Sequence, residues 1–597
     1  MLPRRPWKFF VAATLVLSGT ALPLRAAEDK PATVAHIKLT GGLDEAPPPL
    51  DPILGLGGEN FKAKLDRIKK AKTDASVQAL YLQIDGLAIG WGKLDELTRA
   101  ISEFRQSGKK VFAQLEGGET KDYLVALACD EITLPESGWI MLTGVRAEVT
   151  FFKELFEKIG VKADMLQMGE AKSAAEPFTR TKLSEASRKQ LEGVIDDFYE
   201  KGIVERIVKS RAGKSFTTEQ VKKLIDEGPY TAKGALKAGL IDRLAYPDTF
   251  QDHLKEALKV EQLTVVKNYG QQKSEELDFS NPFAILKLLA PPKSSSSSKP
   301  KIAVIYAVGA ITTGKSSQSL LGGETMGSTT MVEAIRQAEN DKTVKAIVLR
   351  VDSPGGSALA SDLIWNELSK CKKPVVASMS DVAGSGGYYI SMAAKKIYAE
   401  PNTITGSIGV VGGKLAIGGS MEKVGITTDV IARGANANLF STTQPFSESE
   451  KKAMTALMRD VYDQFLDKAL AGRKKAGKEM TRDELVKLAG GRIWTGRQAK
   501  ENGLIDEVGS LEDAIADAKK LADVPSDKEL ELLILPKTKS FIDALLEAKG
   551  DVRMMGVEGR LLRELPELSR KLRPIEALLQ LRNEPVWVVS PYQFEVK

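Results

Sequence analysis

The strongest constraint on the fold is an internal repeat, in which the second half of the chain reproduces patterns of the first at a spacing of roughly 265 residues. Residues 77–85 match residues 344–352, and each segment is an apolar strand that ends in an aspartate. Residues 231–242 match residues 495–506 without a gap. The sequence therefore predicts two copies of one domain joined in tandem.

Within each copy, short apolar segments alternate with segments of helical character. In the second copy the predicted strands are residues 302–307, 344–351 and 374–380, and helical segments separate them. Continuous apolar strands separated by helices of about 10–15 residues are typical of a mostly parallel sheet that helices cover. The expected fold class is therefore α/β in both copies.

The stretch between the copies and the stretch after them differ from the repeat in composition. The first is polar, rich in serine and proline, and is predicted to be a linker because it has nothing to bury. The second has leucines at helical spacing, which fits a membrane-surface or subunit-contact helix or, as the favoured alternative, a helix packed on its own domain. The predicted boundaries are 1–27 for a signal segment, 32–288 for the N-terminal domain, 289–300 for the linker, 301–528 for the C-terminal domain and 529–597 for the C-terminal extension.

The N-terminus has the order of an export signal. Arg4, Arg5 and Lys8 precede an apolar run over residues 9–24, and the small pair Ala26-Ala27 follows it. This run is shorter than the roughly 20 residues that span a bilayer. We therefore expect export, with cleavage favoured over retention of the segment as a membrane anchor.

The amino-acid composition argues against several classes of function. A net charge of +6 over 597 residues forms no concentrated basic surface, so we expect no nucleic-acid partner. Cys129 and Cys371 are the only cysteines, and His36 and His253 are the only histidines, so we expect neither a disulfide framework nor a metal site, and no cofactor. Because histidine is the usual general base, acid–base chemistry in this chain is expected to use another side chain.

Ser385 stands between glycines, after a predicted strand and before a predicted helix. Such a turn can expose the serine hydroxyl at the end of the sheet, although an incidental serine in a glycine-rich turn has the same pattern. The N–H of Gly386 lies at the start of the helix, where it can stabilise negative charge. The loop at 353–356, Ser-Pro-Gly-Gly, ends the neighbouring strand, so its glycine N–H groups can converge on the same sheet edge.

The first copy lacks this serine but carries a lysine that the second copy lacks. Thr120 aligns with Ser385, whereas Lys172 of the first copy aligns with Ala437 of the second. A neutral lysine can serve as the base for a serine, provided that burial lowers its pKa from about 10.4. Taken alone, Lys172 fits a solvated surface lysine, but the complementary loss between the copies favours a site to which both contribute.

Four motifs then occur in a consistent order. They are Ser-Pro-Gly-Gly at 353–356, Gly-Ser-Gly-Gly-Tyr-Tyr at 384–389, Thr-Gly-Ser-Ile-Gly-Val at 405–410 and Lys-Ser-Ala-Ala-Glu-Pro-Phe at 172–178. This set resembles the signal peptide peptidase A (protease IV) family in its long, duplicated form, over about residues 32–525. The resemblance implies two tandem copies of a Clp protease/crotonase-like domain. The tail after residue 529 and the serine-rich linker are not part of the shared pattern.

The resemblance also implies a Ser–Lys dyad that is completed across two domains. It implies Ser385 as the nucleophile, Lys172 as the general base, Gly355 and Gly386 as oxyanion donors, and Ser407 as the residue that orients the lysine. The implied function is an envelope serine endopeptidase that hydrolyses peptide bonds in residual signal peptides and other apolar peptide segments. The implied partners are those peptides and further copies of the chain, with a tetramer favoured, on the periplasmic side of a bacterial envelope. Attachment to the membrane stays open.

Two alternatives come from other classes. A crotonase-like enzyme acting on acyl-CoA thioesters would use a similar oxyanion hole, but an export signal and a Ser–Lys pair do not suit it. A catalytically silent envelope scaffold of the same fold would not need both Ser385 and Lys172. Both alternatives are therefore less favoured than the peptidase.

Overall fold

The computed structural model describes residues 31–47, 59–271, 298–318, 324–525, 530–537, 575 and 584–590. The predicted signal segment, most of the predicted linker and, apart from Ile575, the leucine-rich part of the tail lie outside the described residues. None of the helices in the described ranges combines the length and the apolar character that crossing a bilayer requires.

The first copy is built on a six-stranded sheet whose neighbouring strands all run parallel. In spatial order the strands are Leu263–Val266, Ala32–Gly41, Val77–Leu87, Lys110–Leu115, Glu131–Leu134 and Arg243–Leu244. A small sheet contains Gly118–Glu119, Trp139–Met141 and Tyr230–Thr231. The α-helices are Phe61–Thr73, Trp91–Arg105, Thr120–Ala126, Lys153–Ile159, Glu176–Thr179, Glu185–Asp197, Glu205–Ser210, Thr218–Asp226, Ala232–Lys237 and Phe250–Leu258.

The second copy repeats this strand order. The corresponding parallel strands are Glu531–Leu535, Lys301–Val308, Val344–Ser353, Val375–Gly384, Lys396–Ala399 and Glu507–Val508. Ile404–Gly406 also pairs in parallel with Val375–Gly384, and Ile493–Thr495 adds an antiparallel edge. The α-helices are Ser328–Asn340, Ala358–Lys370, Gly386–Ser391, Gly418–Lys423, Glu448–Lys475, Arg482–Leu488, Gly496–Glu501 and Leu511–Leu521. The prediction of two α/β copies with mostly parallel sheets is confirmed.

Equivalent long-range contacts show that the repeat extends to the tertiary structure. The Tyr123 hydroxyl donates to the carbonyl of Leu240 over 2.9 Å, and the Tyr388 hydroxyl donates to the carbonyl of Leu504 over the same distance. The strand Glu531–Leu535 takes the place in the second sheet that Leu263–Val266 takes in the first. The second sheet therefore continues past residue 528, where the sequence places the end of this domain.

The strands of the second sheet are apolar on both faces because helices cover both sides. Ile302 and Val304 pack with Leu511 on one face, whereas Ala303 and Ile305 point into the larger core on the other. Such two-sided burial explains why the strands are continuous apolar runs rather than alternating ones.

A third sheet joins the two copies and places the candidate site. Lys162–Met168 of the first copy pairs antiparallel with Val410–Ala416 of the second along all seven residues of each strand. On the other side of Val410–Ala416 lies Trp587–Val589, a short strand of the tail, which also pairs with Gly355–Ser357. The remaining strands are Ala310–Thr312, Ser317–Gln318 and Glu324–Gly327. The described end of the tail is thus a buried strand on its own chain.

Candidate active site

Ser385 occupies a strained turn at the carboxyl end of a central strand. It follows Val375–Gly384 and caps the helix Gly386–Ser391, with φ 53° and ψ −108°. Its N–H donates to the carbonyl of Gly406 over 2.7 Å, and the residue is fully buried. A non-glycine residue at positive φ costs roughly 1–3 kcal/mol, and such strain is typical of functional sites.

Lys172 of the first copy contacts this serine. It lies just after the strand Lys162–Met168, in the loop that the third sheet holds against the second copy. Its Nζ lies 2.7 Å from Ser385 Oγ, 2.7 Å from the carbonyl oxygen of Ser407 and 3.0 Å from Ser407 Oγ. The structure therefore brings together three of the residues that the sequence selects, although Lys172 and Ser385 are 213 positions apart.

The surroundings of Lys172 favour a neutral amine. The side chain is fully buried, and burial lowers the pKa of Lys172 well below its usual value. A neutral amine has two N–H groups and one lone pair. The two Ser407 oxygens can accept from the N–H groups, which leaves the lone pair for the hydroxyl proton of Ser385. An uncharged lysine can therefore make all three contacts.

Close backbone approach at Gly491 makes this arrangement possible. A Cβ at position 491 would lie 2.3 Å from the backbone nitrogen of Lys172, and the residue has φ 87°, a conformation that favours glycine. The neighbouring carbonyl of Gly490 accepts from the N–H of Ala171 over 2.9 Å. The lysine loop is therefore fixed by backbone contacts with the second copy.

The second glycine-rich loop differs from expectation in one detail. The N–H of Gly355 donates to Ser353 Oγ over 3.1 Å, so this N–H already has an acceptor within its own loop. In the pairing with the tail strand, Ser590 N–H donates to the carbonyl of Pro354, and Ala358 N–H donates to the carbonyl of Val586.

These two bonds identify Gly356 as the residue that offers a donor on this side. Hydrogen-bonded pairs in an antiparallel ladder recur at every second residue, so the pair between them is Gly356 with Val588. The N–H of Gly356 therefore points towards Val588 of the tail strand. The family resemblance implies Gly355 as a donor, and the local pattern carries no signal for the register that separates it from Gly356.

Gly386 lies where the sequence places it. A Cβ on Gly355, which has φ 95°, would lie 2.6 Å from the backbone nitrogen of Gly386 and 2.1 Å from the carbonyl oxygen of Val588. The nitrogen of Gly386 and this carbonyl oxygen therefore both border one small space next to the turn of Ser385. Only a glycine at position 355 leaves that space open.

A buried ion cluster links the first copy to both loops of the second, and sequence reasoning did not find it. Lys93, on the helix Trp91–Arg105, places Nζ 2.9 Å from Asp352 Oδ2 and 2.8 Å from Asp381 Oδ2. Asp352 precedes the Ser-Pro-Gly-Gly loop, and Asp381 precedes the turn of Ser385. Burial disfavours the cation, but the two carboxylates outweigh it and raise the pKa of Lys93 well above its usual value. Burial raises the pKa of Asp352 to about 6.

The positions that the repeat makes equivalent to Ser385 and Lys172 do not form a serine–lysine pair. The hydroxyl of Thr120 donates to the carbonyl of Met141 over 2.9 Å, and Ala437 is exposed. Both cysteines are free thiols, and within the described ranges no group of histidine, cysteine, aspartate or glutamate is arranged to hold a metal ion. Within the described residues, the pairing of Ser385 with Lys172 therefore has no counterpart between Thr120 and Ala437, and both copies contribute to it.

Comparison with known proteins agrees with this organisation. The family model described as Peptidase family S49 matches residues 103–261 and 367–525, one match in each copy. "Serine protease SPPA, chloroplastic" of Arabidopsis thaliana is 34% identical over 506 residues, which cover 84% of this chain and 71% of that protein. "Protease 4" of Salmonella typhi is 30% identical over 559 residues, which cover 90% and 84% of the two chains.

A shorter relative matches only part of the chain. "Putative signal peptide peptidase SppA" of Enterococcus faecium is 39% identical over 189 residues, which cover 31% of this chain and 54% of that protein. The family matches together span more than half of the sequence and fall once in each copy of the repeat. The chain belongs to peptidase family S49, as a serine protease with two tandem copies of the family's domain.

Proposed function

We propose that the chain is an envelope serine endopeptidase in which Ser385 is the nucleophile and Lys172 is the general base. The observation that carries this proposal is the 2.7 Å contact between Lys172 Nζ and Ser385 Oγ, with both residues fully buried. Its substrates are residual signal peptides and other apolar peptide segments. The name of the Enterococcus relative, a putative signal peptide peptidase, supports that class, and the order of basic, apolar and small residues in the N-terminal segment supports export.

In the first step, neutral Lys172 takes the hydroxyl proton of Ser385 while Oγ attacks the carbonyl carbon of the scissile bond. The N–H groups of Gly386 and Gly356 stabilise the resulting oxyanion. The ammonium of Lys172 then protonates the leaving amine, and the peptide bond breaks to leave an acyl-enzyme. A water molecule then gives a proton to Lys172 while its oxygen attacks the acyl carbon. The bond from this carbon to Ser385 Oγ breaks, and Lys172 returns the proton to Oγ, which restores the Ser385 hydroxyl.

Ser407 has a positioning role in this scheme. Its carbonyl and hydroxyl oxygens both contact Lys172 Nζ, and they hold the lone pair of the amine towards Ser385. The backbone of Ser407 is itself fixed, because its N–H donates to the carbonyl of Arg492 over 2.6 Å. The lysine is therefore oriented without a carboxylate, which would favour its charged form.

Three variants of the full chain test the proposal on a quenched-fluorescence peptide with an apolar sequence. Ser385→Ala and Lys172→Met should each reduce kcat by about 10³-fold or more, because the loss of one member of a catalytic pair also removes the contribution of the other. Lys237→Met, at an exposed lysine, is the matched control and should retain wild-type turnover. Wild-type protein should react at Ser385 with a fluorophosphonate, as judged by peptide mass mapping. Wild-type cleavage rates in either dyad variant would refute the assignment.

We further propose that the chain forms a homo-oligomer. Within one chain, Lys162–Met168 pairs with Val410–Ala416. By the repeat, the equivalent segments are residues 427–433 of the second copy and residues 145–151 of the first, and the structure forms no strand from either. Ile431, in the first of these segments, is 86% exposed. Pairing of 427–433 of one subunit with 145–151 of the next would repeat the internal contact and close a ring.

The oligomer is tested by light scattering coupled to size exclusion. Wild-type protein should elute as a tetramer, the state favoured by the family resemblance, and Ile431→Asp should shift the mass towards the monomer because it places a charge in the new strand contact. Lys237→Met, at an exposed lysine outside the proposed contact, is the control and should keep the wild-type mass. A wild-type monomer would exclude this arrangement.

A further inference from the structure

The strand that leads to Ser385 is irregular just before the nucleophile turn. In its parallel pairing with Val344–Ser353 the register shifts after Val351, so that residues 380–382 lie opposite Asp352 alone. A bulge of this kind bends the strand and changes the direction of the residues that follow it. The position of the Ser385 turn therefore depends on how the bulge is held.

The same strand changes its neighbour on the other side at the bulge. Residues 376–379 pair with Lys396–Ala399, whereas residues 382–384 pair with Ile404–Gly406. Residues 380 and 381 fall between these two ladders. Regular strand pairing therefore does not by itself position the main chain four to five residues before the nucleophile, and other contacts have to do so.

Two aspartates make such contacts, and Lys93 of the first copy joins them. Asp352 Oδ1 accepts from the N–H of Val382 over 3.1 Å, which ties the bulge to the strand that leads into the Ser-Pro-Gly-Gly loop. Asp381 Oδ1 accepts from the backbone N–H of Lys93 over 2.8 Å. The second oxygen of each carboxylate accepts from Lys93 Nζ, over 2.9 Å for Asp352 and 2.8 Å for Asp381. Lys93 thus contacts both strand ends at once.

The backbone around Lys93 approaches the bulge very closely. A Cβ on Gly90 would lie 2.1 Å from Cγ of Asp381, and a Cβ on Gly92 would lie 2.4 Å from the carbonyl oxygen of Ser380. The helix Trp91–Arg105 begins between these glycines, so its partial positive charge adds to that of the ammonium beside Asp381. Side chains at either glycine would separate the helix from the bulge.

The cluster accompanies the nucleophile and not the repeat as such. The repeat makes Asp85 and Glu116 of the first copy equivalent to the two aspartates, and both of these side chains are exposed. Ala360 stands where the repeat would place a second Lys93. The three charges are therefore brought together beside Ser385, whereas the equivalent acidic residues beside Thr120 face solvent.

We propose that Lys93 is a positioning residue, which holds the bulge and the neighbouring strand end in the arrangement that attack by Ser385 requires. This inference rests on the proposed function, because it takes Ser385 to be the nucleophile. Lys93 acts through Asp381, four residues earlier in the chain, and through Asp352, which precedes the second glycine-rich loop. Misplacement of a reacting group by about 1 Å can cost roughly 10²-fold in rate. The first copy would thus supply both the base, Lys172, and the contact that positions its partner.

Steady-state kinetics of full-chain variants on the quenched-fluorescence apolar peptide test this inference, at a temperature below the unfolding transition of every variant. Lys93→Met should lower kcat by about 10²-fold and change KM by less than about twofold, because orientation of the nucleophile is lost while the peptide still binds. This split between kcat and KM is not expected from a contact that only stabilises the fold.

A milder variant keeps the test valid if Lys93→Met does not fold. Asp381→Asn retains an oxygen for the Lys93 N–H but removes the charge, and it should lower kcat roughly tenfold. The double variant should lose no more than Lys93→Met alone, because both substitutions break the same contact. Multiplication of the two losses in the double variant would show that the two residues act independently and would overturn the inference.

Arg211→Met is the matched control for loss of a buried cation. Arg211 is buried in the first copy, and its Nη1 lies 2.8 Å from both carboxylate oxygens of Asp242. Its replacement should lower the melting temperature but leave kcat unchanged. Wild-type kcat in Lys93→Met and Asp381→Asn, or an equal loss of kcat in Arg211→Met, would overturn the inference while Ser385→Ala stays inactive. Wild-type cleavage by Ser385→Ala would instead refute the proposed function.

Discussion

Lys172→Met should stabilise the fold increasingly as the pH falls, because methionine replaces a buried amine by an apolar side chain of similar length. In the folded chain, burial holds the pKa of Lys172 well below its usual value, whereas in the unfolded chain it is about 10.4. Between these two values the unfolded state binds a proton that the folded state does not. Wild-type stability therefore falls, relative to the variant, as the pH falls through this window.

The size of the effect follows from the width of the window. Each pH unit well inside it corresponds to about 1.4 kcal/mol, so the difference in unfolding free energy between variant and wild type should grow by about 2.5 kcal/mol from pH 10 to pH 8 while the folded amine stays neutral. Below the folded pKa of Lys172 the difference should become constant. The pH at which it levels off therefore reports that pKa.

Urea unfolding followed by tryptophan fluorescence, at one protein concentration over pH 6–10, measures this difference. Lys237→Met, at an exposed lysine, should differ from wild type by an amount that does not change with pH. The pH at which wild-type kcat/KM is half-maximal should coincide with the levelling pH, because kcat/KM reports the pKa of the free enzyme and the neutral amine is the proposed base. A difference that is independent of pH for Lys172→Met would refute the reasoning, since Lys172 would then be charged in the folded protein.

Three further predictions concern residues around the dyad. Lys93→Met leaves Asp352 and Asp381 without their cation inside the protein and should lower the unfolding free energy by about 3–5 kcal/mol. Thermal melting should show a large fall in melting temperature, and an unchanged melting temperature would contradict the prediction. Ser407→Ala removes one of the contacts of the Lys172 amine, the proposed base, and should reduce kcat roughly tenfold with little change in KM. A rise in KM alone would argue for a substrate contact instead. Burial raises the pKa of Glu400 to about 8, so between the ordinary pKa of a glutamate and this value the folded state binds a proton that the unfolded state does not. Glu400→Gln should therefore gain stability relative to wild type as the pH rises from about 5 to about 8, and a difference in unfolding free energy that does not change with pH would contradict this.

Ion pairs between the two copies fix how the copies are placed relative to each other. Lys93 belongs to the first copy, yet its carboxylate partners precede the two glycine-rich loops of the second. The buried guanidinium of Arg350 in the second copy likewise contacts Glu45 and Glu96 of the first over 2.6 Å. Because an unpaired buried charge is costly, these pairs favour one mutual placement of the copies. That placement is the one in which Lys172 reaches Ser385.

Much of this protein could be read from the sequence because the relevant signals are local. Apolar runs interrupted by helical segments predict parallel strands, and the matching segments 77–85 and 344–352 both form central strands of their sheets. The glycines around Ser385 indicate a tight turn, and the turn has the positive φ that such a sequence allows. The complementary presence of Lys172 and Ser385 indicated a shared site without any knowledge of distances.

Other features were decided only by the tertiary structure, because they depend on pairing between distant segments. Gly355 and Gly356 are indistinguishable in a local pattern, and only the register of the ladder with Val588 separates their N–H groups. Lys93 has the sequence of an ordinary helical lysine until the second copy places two carboxylates beside it. The sequence by itself thus determined two α/β copies and the residue types of the dyad. The low pKa of Lys172 and the pairing of the tail strand with Val410–Ala416 depend on contacts between distant parts of the chain, which no single segment encodes.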